Sequence, residues 1–182
     1  MSAIMTYQKT MFDPFCPQAE LIDIRDIAHA LSLLCRANGH FPHFYSVGPH
    51  SVLCMREAAA RGYSRRVQLG CLLHDASEAY LSDVTRPIKP LLPAYLEVEK
   101  CLQGMIFDKW LSPSLTVEEL ALIDEIDNAI LHYEFLEMMS HAIYDPAPVL
   151  SSAPSFDFVM FDEIERAFLR GFETLTAEYK EA

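Results

Sequence analysis

The chain has 182 residues, 51% of them hydrophobic and 22% charged, which suits one domain with its own core and leaves little room for long disordered tracts. A formal net charge of −12 argues against a protein that grips a nucleic-acid backbone, because such binding is driven by Lys and Arg neutralising phosphates. The same charge opposes a small phosphorylated ligand too, unless a bound cation and a few basic side chains reverse the field inside one pocket.

Residues 1–20 carry scattered aromatics, Pro14 and Pro17 but no helical period. They read as an irregular arm, with room for a short hairpin, packed on a domain covering 21–182. From Asp23 the pattern changes. Ile24, Ile27, Ala28, Leu31, Leu34 and Cys35 recur at helical spacing, with Asp23 as a cap and Gly39 as a stop. A loop holding His40, Pro42 and His43 follows, and Ser46 then caps a second helix towards Arg61, with Pro49 tolerated in its first turn.

Ser64 opens a third helix to about Tyr80, apolar enough for burial on nearly all sides. Pro87, Pro90 and Pro93 interrupt the chain before a fourth helix marked by Tyr95, Val98, Leu102, Met105, Ile106 and Trp110. Thr116 and Glu119 form a capping box for a fifth helix to about His141. Residues 142–156 read as a loop, and a last helix starts at about Asp157, with Phe161, Ile164, Phe168, Phe172 and Leu175 on one face. No segment alternates apolar and polar residues for long, so the fold class is all-α, a bundle of about six helices.

The five cysteines, Cys16, Cys35, Cys54, Cys71 and Cys101, are odd in number and form no C-x-x-C pair, which reads as reduced core residues of a cytoplasmic protein. The N-terminus shows no charged leader followed by an apolar block, and no later segment reaches membrane-spanning length, so no membrane partner is expected.

The chemistry concentrates on the third helix. His74 and Asp75 follow Cys71-Leu72-Leu73, and an adjacent imidazole and carboxylate in apolar surroundings need partners to offset their desolvation. Metal ligation is one such offset; a structural ion pair is the other. Glu78 lies one turn beyond His74 on the same face. His50 and Asp127, from two other helices, can complete a mixed nitrogen and oxygen set suited to Mn, Fe, Co or Zn. Asp124, one turn before Asp127, rivals it.

The order H…HD…D, carried by YSVGPHSVLC around His50, LLHDASEAYLSDVTRPIK around His74 and IDEIDNAILHYEFLE around Asp127, resembles the HD-domain phosphohydrolases. Within them it looks like the YfbR-like and YfdR-like 5′-deoxynucleotidases, and DIAHALSLLCRANGHFPHFYSVGPHS is similar to the YfdR-like branch. The resemblance spans roughly residues 21–140. It implies one divalent cation on His50, His74, Asp75 and Asp127, with Asp127 aligned in preference to Asp124.

The resemblance further implies Glu78 as the proton-handling residue, Asp83 as a sugar-sensing aspartate at the reaction centre, and Arg36 on the phosphate. Arg86 and Lys89 are the nearby basic residues that can supply local positive field. His40 and His43 are weaker substrate-binding candidates, equally readable as solvent-exposed or hydrogen-bonded loop histidines. Where YfbR-like enzymes place a tryptophan on the nucleoside, this chain has Ala37 and Asn38, leaving Phe44, Tyr45 or Trp110 to form an aromatic wall.

HD-like proteins that hold two metals need additional histidines between the central pair and the final aspartate, and this chain has none from Asp75 to Leu131, so the resemblance implies one metal. The implied reaction is phosphate removal from (deoxy)nucleoside 5′-monophosphates. The rivals are triphosphate release from deoxynucleoside triphosphates and nucleotide binding without turnover. A homo-oligomer is expected because small members of the superfamily often associate.

Overall fold

The computed structural model describes residues 3–177. The arm forms a short antiparallel hairpin, β1 (Ile4–Met5) with β2 (Met11–Phe12). It is anchored by Phe12, which is fully buried with its ring 4.3 Å from that of Tyr80, and by the Gln8 amide, which donates to buried Asp26 at 2.7 Å.

Helix α1 (Ile24–Leu33) starts at Asp23, whose carboxylate accepts from the Arg25 amide. It ends well before Gly39, because the chain turns out at Leu34 and a strand-like bridge pairs Cys35 with Ser46. Helix α2 (Val47–Ala60) touches α1, α3, α6 and α7 and is the central element. Ser46 stands at its N-cap position, yet its hydroxyl is buried without a capping bond; the Val47 amide is satisfied instead by the Leu34 carbonyl at 3.0 Å.

The expected third helix is divided. Helix α3 (Arg65–Leu73) stops at His74, and a short α4 (Glu78–Leu81) follows. Between them the amides of Ala76, Glu78 and Tyr80 bond three residues back, to Leu73, Asp75 and Ser77. The chain keeps its right-handed turn but tightens there.

Helix α5 (Pro93–Trp110) takes Pro93 into its first turn, where the sequence pattern reads that proline as part of the break before the helix, and α6 (Val117–Met139) opens on the complete Thr116/Glu119 capping box. Helix α7 (Phe161–Thr176) starts later than the periodicity suggests. The Ser155 hydroxyl donates to the Asp157 carboxylate and accepts from the Asp157 amide, which holds the chain in a local turn instead of a helix.

The bundle is thus all-α apart from the two-stranded hairpin. Among the described residues no helix is long and apolar enough to cross a membrane. All five cysteines are free, and only Cys54 and Cys71 are buried. Cys101 is exposed because α5 turns Leu102 and Ile106 inward, and Cys16 lies in the exposed turn of the arm.

Two close approaches bring the donor-bearing helices together. A β-carbon at Gly48 would stand 2.7 Å from Ile164 and 3.2 Å from the Leu31 carbonyl, and one at Gly70 would overlap Ile123. Glycine at these points lets α2 meet α1 and α7, and lets α3 meet α6.

The 142–156 loop is fastened by a buried carboxylate. Glu57 on α2 accepts from the amides of Ser151 and Ser152, both at 2.8 Å, from the Ser152 hydroxyl and from Arg61. Burial alone would raise its pKa, but these donors outweigh burial and hold it below the usual 4.5. The stabilisation is therefore complete above about pH 4.5 and is lost as pH falls through the lowered folded value. Glu57→Gln is expected to cost about 1–3 kcal/mol in urea unfolding at pH 7, with the gap to wild type closing as the pH drops below 4.5.

Candidate functional site

Three helices contribute to one cluster: His50 from the first turn of α2, His74 and Asp75 from the end of α3, and Asp127 from the middle of α6. His50 Nε2 lies 3.0 Å from Asp127 Oδ1, 3.3 Å from His74 Nε2 and 3.9 Å from Asp75 Oδ2. His74 Nε2 lies 3.3 Å from Asp75 Oδ2 and 3.8 Å from Asp127 Oδ1. Ligands of one ion with bonds of about 2.1 Å stand roughly 3.0–3.4 Å apart in octahedral or tetrahedral shells. Three of these distances, 3.0, 3.3 and 3.3 Å, fall in that range, and the other two, 3.8 and 3.9 Å, lie just beyond it.

Both imidazoles are oriented from behind. His50 Nδ1 donates to Glu134 Oε1 at 2.7 Å, and His74 Nδ1 donates to the Cys71 carbonyl at 2.7 Å. The Cys71 carbonyl lies in the last turn of α3, where carbonyls lose their intrahelical partners. With Nδ1 committed as a donor, the Nε2 of each neutral ring presents a lone pair to the cluster, the arrangement that fixes ligating histidines.

Glu134, fully buried on α6, also accepts from Arg36 Nε at 3.0 Å and from the Tyr45 hydroxyl at 3.1 Å. The Arg36 guanidinium reaches past it to Asp75 Oδ2 at 3.5 Å and to His50 Nε2 at 3.2 Å. Arg36 is placed by its own amide, which bonds the Tyr45 carbonyl at 2.9 Å, and by three successive left-handed residues, Ala37, Asn38 and Gly39. That conformation is uncommon for non-glycine residues and turns the chain sharply after Arg36.

The field at this point favours positive charge. Burial opposes the charged form of His50 and Arg36 adds to that, yet Glu134 and Asp127 prevail and its pKa stands above the usual range. His74 is raised further, burial being outweighed by Asp75 and Asp127. Burial would raise Asp75 and Asp127, but the adjacent imidazoles hold both below the carboxylate range. Asp75, Asp127 and Glu134 against Arg36 leave two negative charges when both imidazoles are neutral, which a divalent cation matches.

Cys54 Sγ stands 3.6 Å from His50 Nε2, at the edge of the cluster with His50 and His74. Burial first, then the Asp127 charge, pushes its thiol well above the usual range. A protonated thiol is a poor ligand beside two ionised carboxylates.

The cluster opens into a cleft of about 380 Å³ lined by Arg36, Asp75, Glu78, Asp83, Arg86, Lys89 and Asp127 on its charged side. Glu78 is buried; Oε1 accepts from Lys89 at 3.2 Å and Oε2 has no hydrogen-bond partner among the described residues. Burial and the Asp75 and Asp83 charges raise its pKa well above the usual carboxyl range. Asp83 is raised as well, chiefly by burial. Lys89 is held by Glu99 at 2.7 Å, and Arg86 bonds Asp127 and Asn128.

Asp124 is exposed and stands outside the cluster, so Asp127 is the α6 residue that meets the histidines. His40 is exposed, and His43 bonds the Phe156 carbonyl beside a different hollow; neither lines the cleft. None of Phe44, Tyr45 and Trp110 forms its wall. Tyr45 is buried behind Glu134, Trp110 packs on Phe172 with ring centres 5.3 Å apart, and Phe44 lies outside the lining. The aromatic side chains there are Phe135 and Tyr144.

Sequence reasoning also missed Glu134. It lies seven residues after Asp127, two turns along the same face of α6, and an acidic residue among I-L-H-Y-E-F was the available signal.

No family model matches the chain. Its curated relatives include the uncharacterized protein YfdR of Escherichia coli (strain K12), 38% identical over 110 residues covering 60% of this chain and 59% of that protein. An uncharacterized protein of Rhodobacter capsulatus is 38% identical over 91 residues, covering 47% of this chain and 46% of the relative. The similarity to YfdR is thus present in sequence, over less than two thirds of the relatives' own length, and neither name states an activity.

Proposed function

We propose that the chain is a metal-dependent phosphohydrolase that removes phosphate from (deoxy)nucleoside 5′-monophosphates. The observation that carries the reading is the convergence of donor atoms of His74, Asp75 and Asp127 within 3.9 Å of His50 Nε2, at the wall of a cleft that also holds Glu78. The resemblance of the three sequence blocks to HD-domain phosphohydrolases supplies the reaction class.

The cleft has four carboxylates on its wall, Asp75, Glu78, Asp83 and Asp127, against Arg36, Arg86 and Lys89. Without a cation that balance repels a phosphate. One divalent ion on the donor set, Mn, Co, Fe or Zn, supplies Lewis-acid polarisation of a phosphoryl oxygen and eases ionisation of water.

The chain's own groups do the rest. Glu78 takes the proton as the water oxygen bonds to phosphorus, the P–O ester bond breaks, and Glu78 returns the proton to the departing 5′-oxygen. Arg36 and Lys89 face the transferring group and stabilise its charge. The products are a nucleoside and orthophosphate.

All three basic side chains of the cleft are already paired with acids, which leaves little to hold a longer polyphosphate and favours a monophosphate over the triphosphate-releasing alternative. The test is chromatography of a deoxynucleotide panel incubated with chelator-treated protein, with and without added Mn or Co. Cation-dependent orthophosphate from monophosphates is expected. Intact triphosphate from the triphosphates would replace this reading with the alternative, and nucleotide binding without any product would leave a binding protein.

A further inference from the structure

The cleft lining is not all charged. It also includes Leu131 and Phe135 of α6, Ile143 and Tyr144 of the following loop, and Val84 and Pro87. Leu131 and Phe135 follow Asp127 at four-residue steps, about 6 and 12 Å along the helix axis. The apolar lining therefore begins roughly one sugar ring away from the donor cluster.

Tyr144 is the least expected member of this lining, since it comes from a loop, yet it is fixed at three points. Its amide donates to His132 Nδ1 at 3.1 Å, its hydroxyl donates to Asn128 Oδ1 at 2.9 Å, and its ring lies nearly parallel to that of buried His132. Asn128 Oδ1 also accepts from Arg86, which reaches on to Asp127. The loop after α6 and the loop after α4 therefore meet on one side chain next to a donor residue. Tyr144 remains 37% exposed on the cleft.

We infer that Tyr144, held by Asn128 and His132, is the specificity-determining residue of this cleft and selects ligands that carry a flat aromatic group one sugar away from the phosphate. The inference rests on the proposed phosphohydrolase reading and adds to it the residue that receives the base. A preset aromatic ring beside a polar latch suits stacking, which tolerates any base because every base has a π face. Ala37, next to Arg36, lines the cleft but offers no ring.

The test compares a deoxynucleoside 5′-monophosphate with ribose 5-phosphate, which keeps sugar and phosphate and lacks the base. Turnover with Mn gives kcat/KM for each, and calorimetric titration gives their affinities independently of turnover. In Tyr144→Ala the preference for the nucleotide should fall at least tenfold in both ratios, through KM more than kcat, while Tyr144→Phe should keep it within about threefold. An equal loss for both compounds, or no loss, would overturn the inference even if hydrolysis is confirmed. If no compound is hydrolysed but the binding preference falls in Tyr144→Ala alone, the hydrolase reading fails and the inference stands. Absence of any binding preference in the wild type would overturn it.

Discussion

Asp75→Ala is expected to lose about 10³-fold in kcat/KM for phosphate release, because removing a charged ligand forfeits several kcal/mol of Lewis-acid stabilisation at about 1.4 kcal/mol per tenfold. Asp75 is the donor best suited to the experiment. It meets His74 at 3.3 Å and Arg36 at 3.5 Å, while its backbone sits in the tightened turn after α3, so its removal touches the cluster without opening the core. Metal analysis of the purified protein should fall from one cation per chain to well below that. Asp124→Ala, altering an exposed acid one turn from Asp127 on the same helix, should change neither quantity. A fully active Asp75→Ala protein, or one with undiminished bound metal, would remove the basis for a metal centre.

Glu78→Gln separates proton handling from metal binding. The amide keeps the shape of the buried side chain, and Lys89 retains its contact with Glu99 at 2.7 Å. Bound cation should stay near one per chain while kcat falls by about 10²–10⁴, the usual worth of a positioned acid or base, with KM little changed. If metal content and kcat fell together, Glu78 would be a ligand and not a proton carrier. If kcat held, the orphaned Oε2 would need another explanation.

The helices were legible where local signals agree: Asp23 at the head of α1, the apolar period from Tyr95 to Trp110 in α5, and Thr116 with Glu119 opening α6. The division of the third helix was not, since a turn with three-residue bonding between Leu73 and Tyr80 advances the chain almost as a helix does and leaves the apolar spacing nearly intact. The four donors stood out as ionisable groups in apolar surroundings. Glu134 did not, because its role depends on His50, 84 residues away in sequence. Tyr144 lies in a stretch without period, and its position is set by bonds to Asn128 and His132 that no local pattern encodes.

The proposed metal donors and the residues proposed to meet the ligand belong to different kinds of chain. His50, His74 and Asp127 are carried by interlocked helices whose glycine contacts tolerate little change, whereas Asp83, Arg86 and Tyr144 sit on loops joined through one asparagine. On the proposed function, such a molecule would acquire a new diet by altering a few loop positions while the helix-borne cluster is inherited intact, because substitutions in connecting segments leave the packed scaffold undisturbed. Divergence among descendants of this fold should therefore accumulate around residues 83–89 and 142–156, with the turns of α2, α3 and α6 that carry His50, His74 and Asp127 serving as the fixed stock from which new preferences branch.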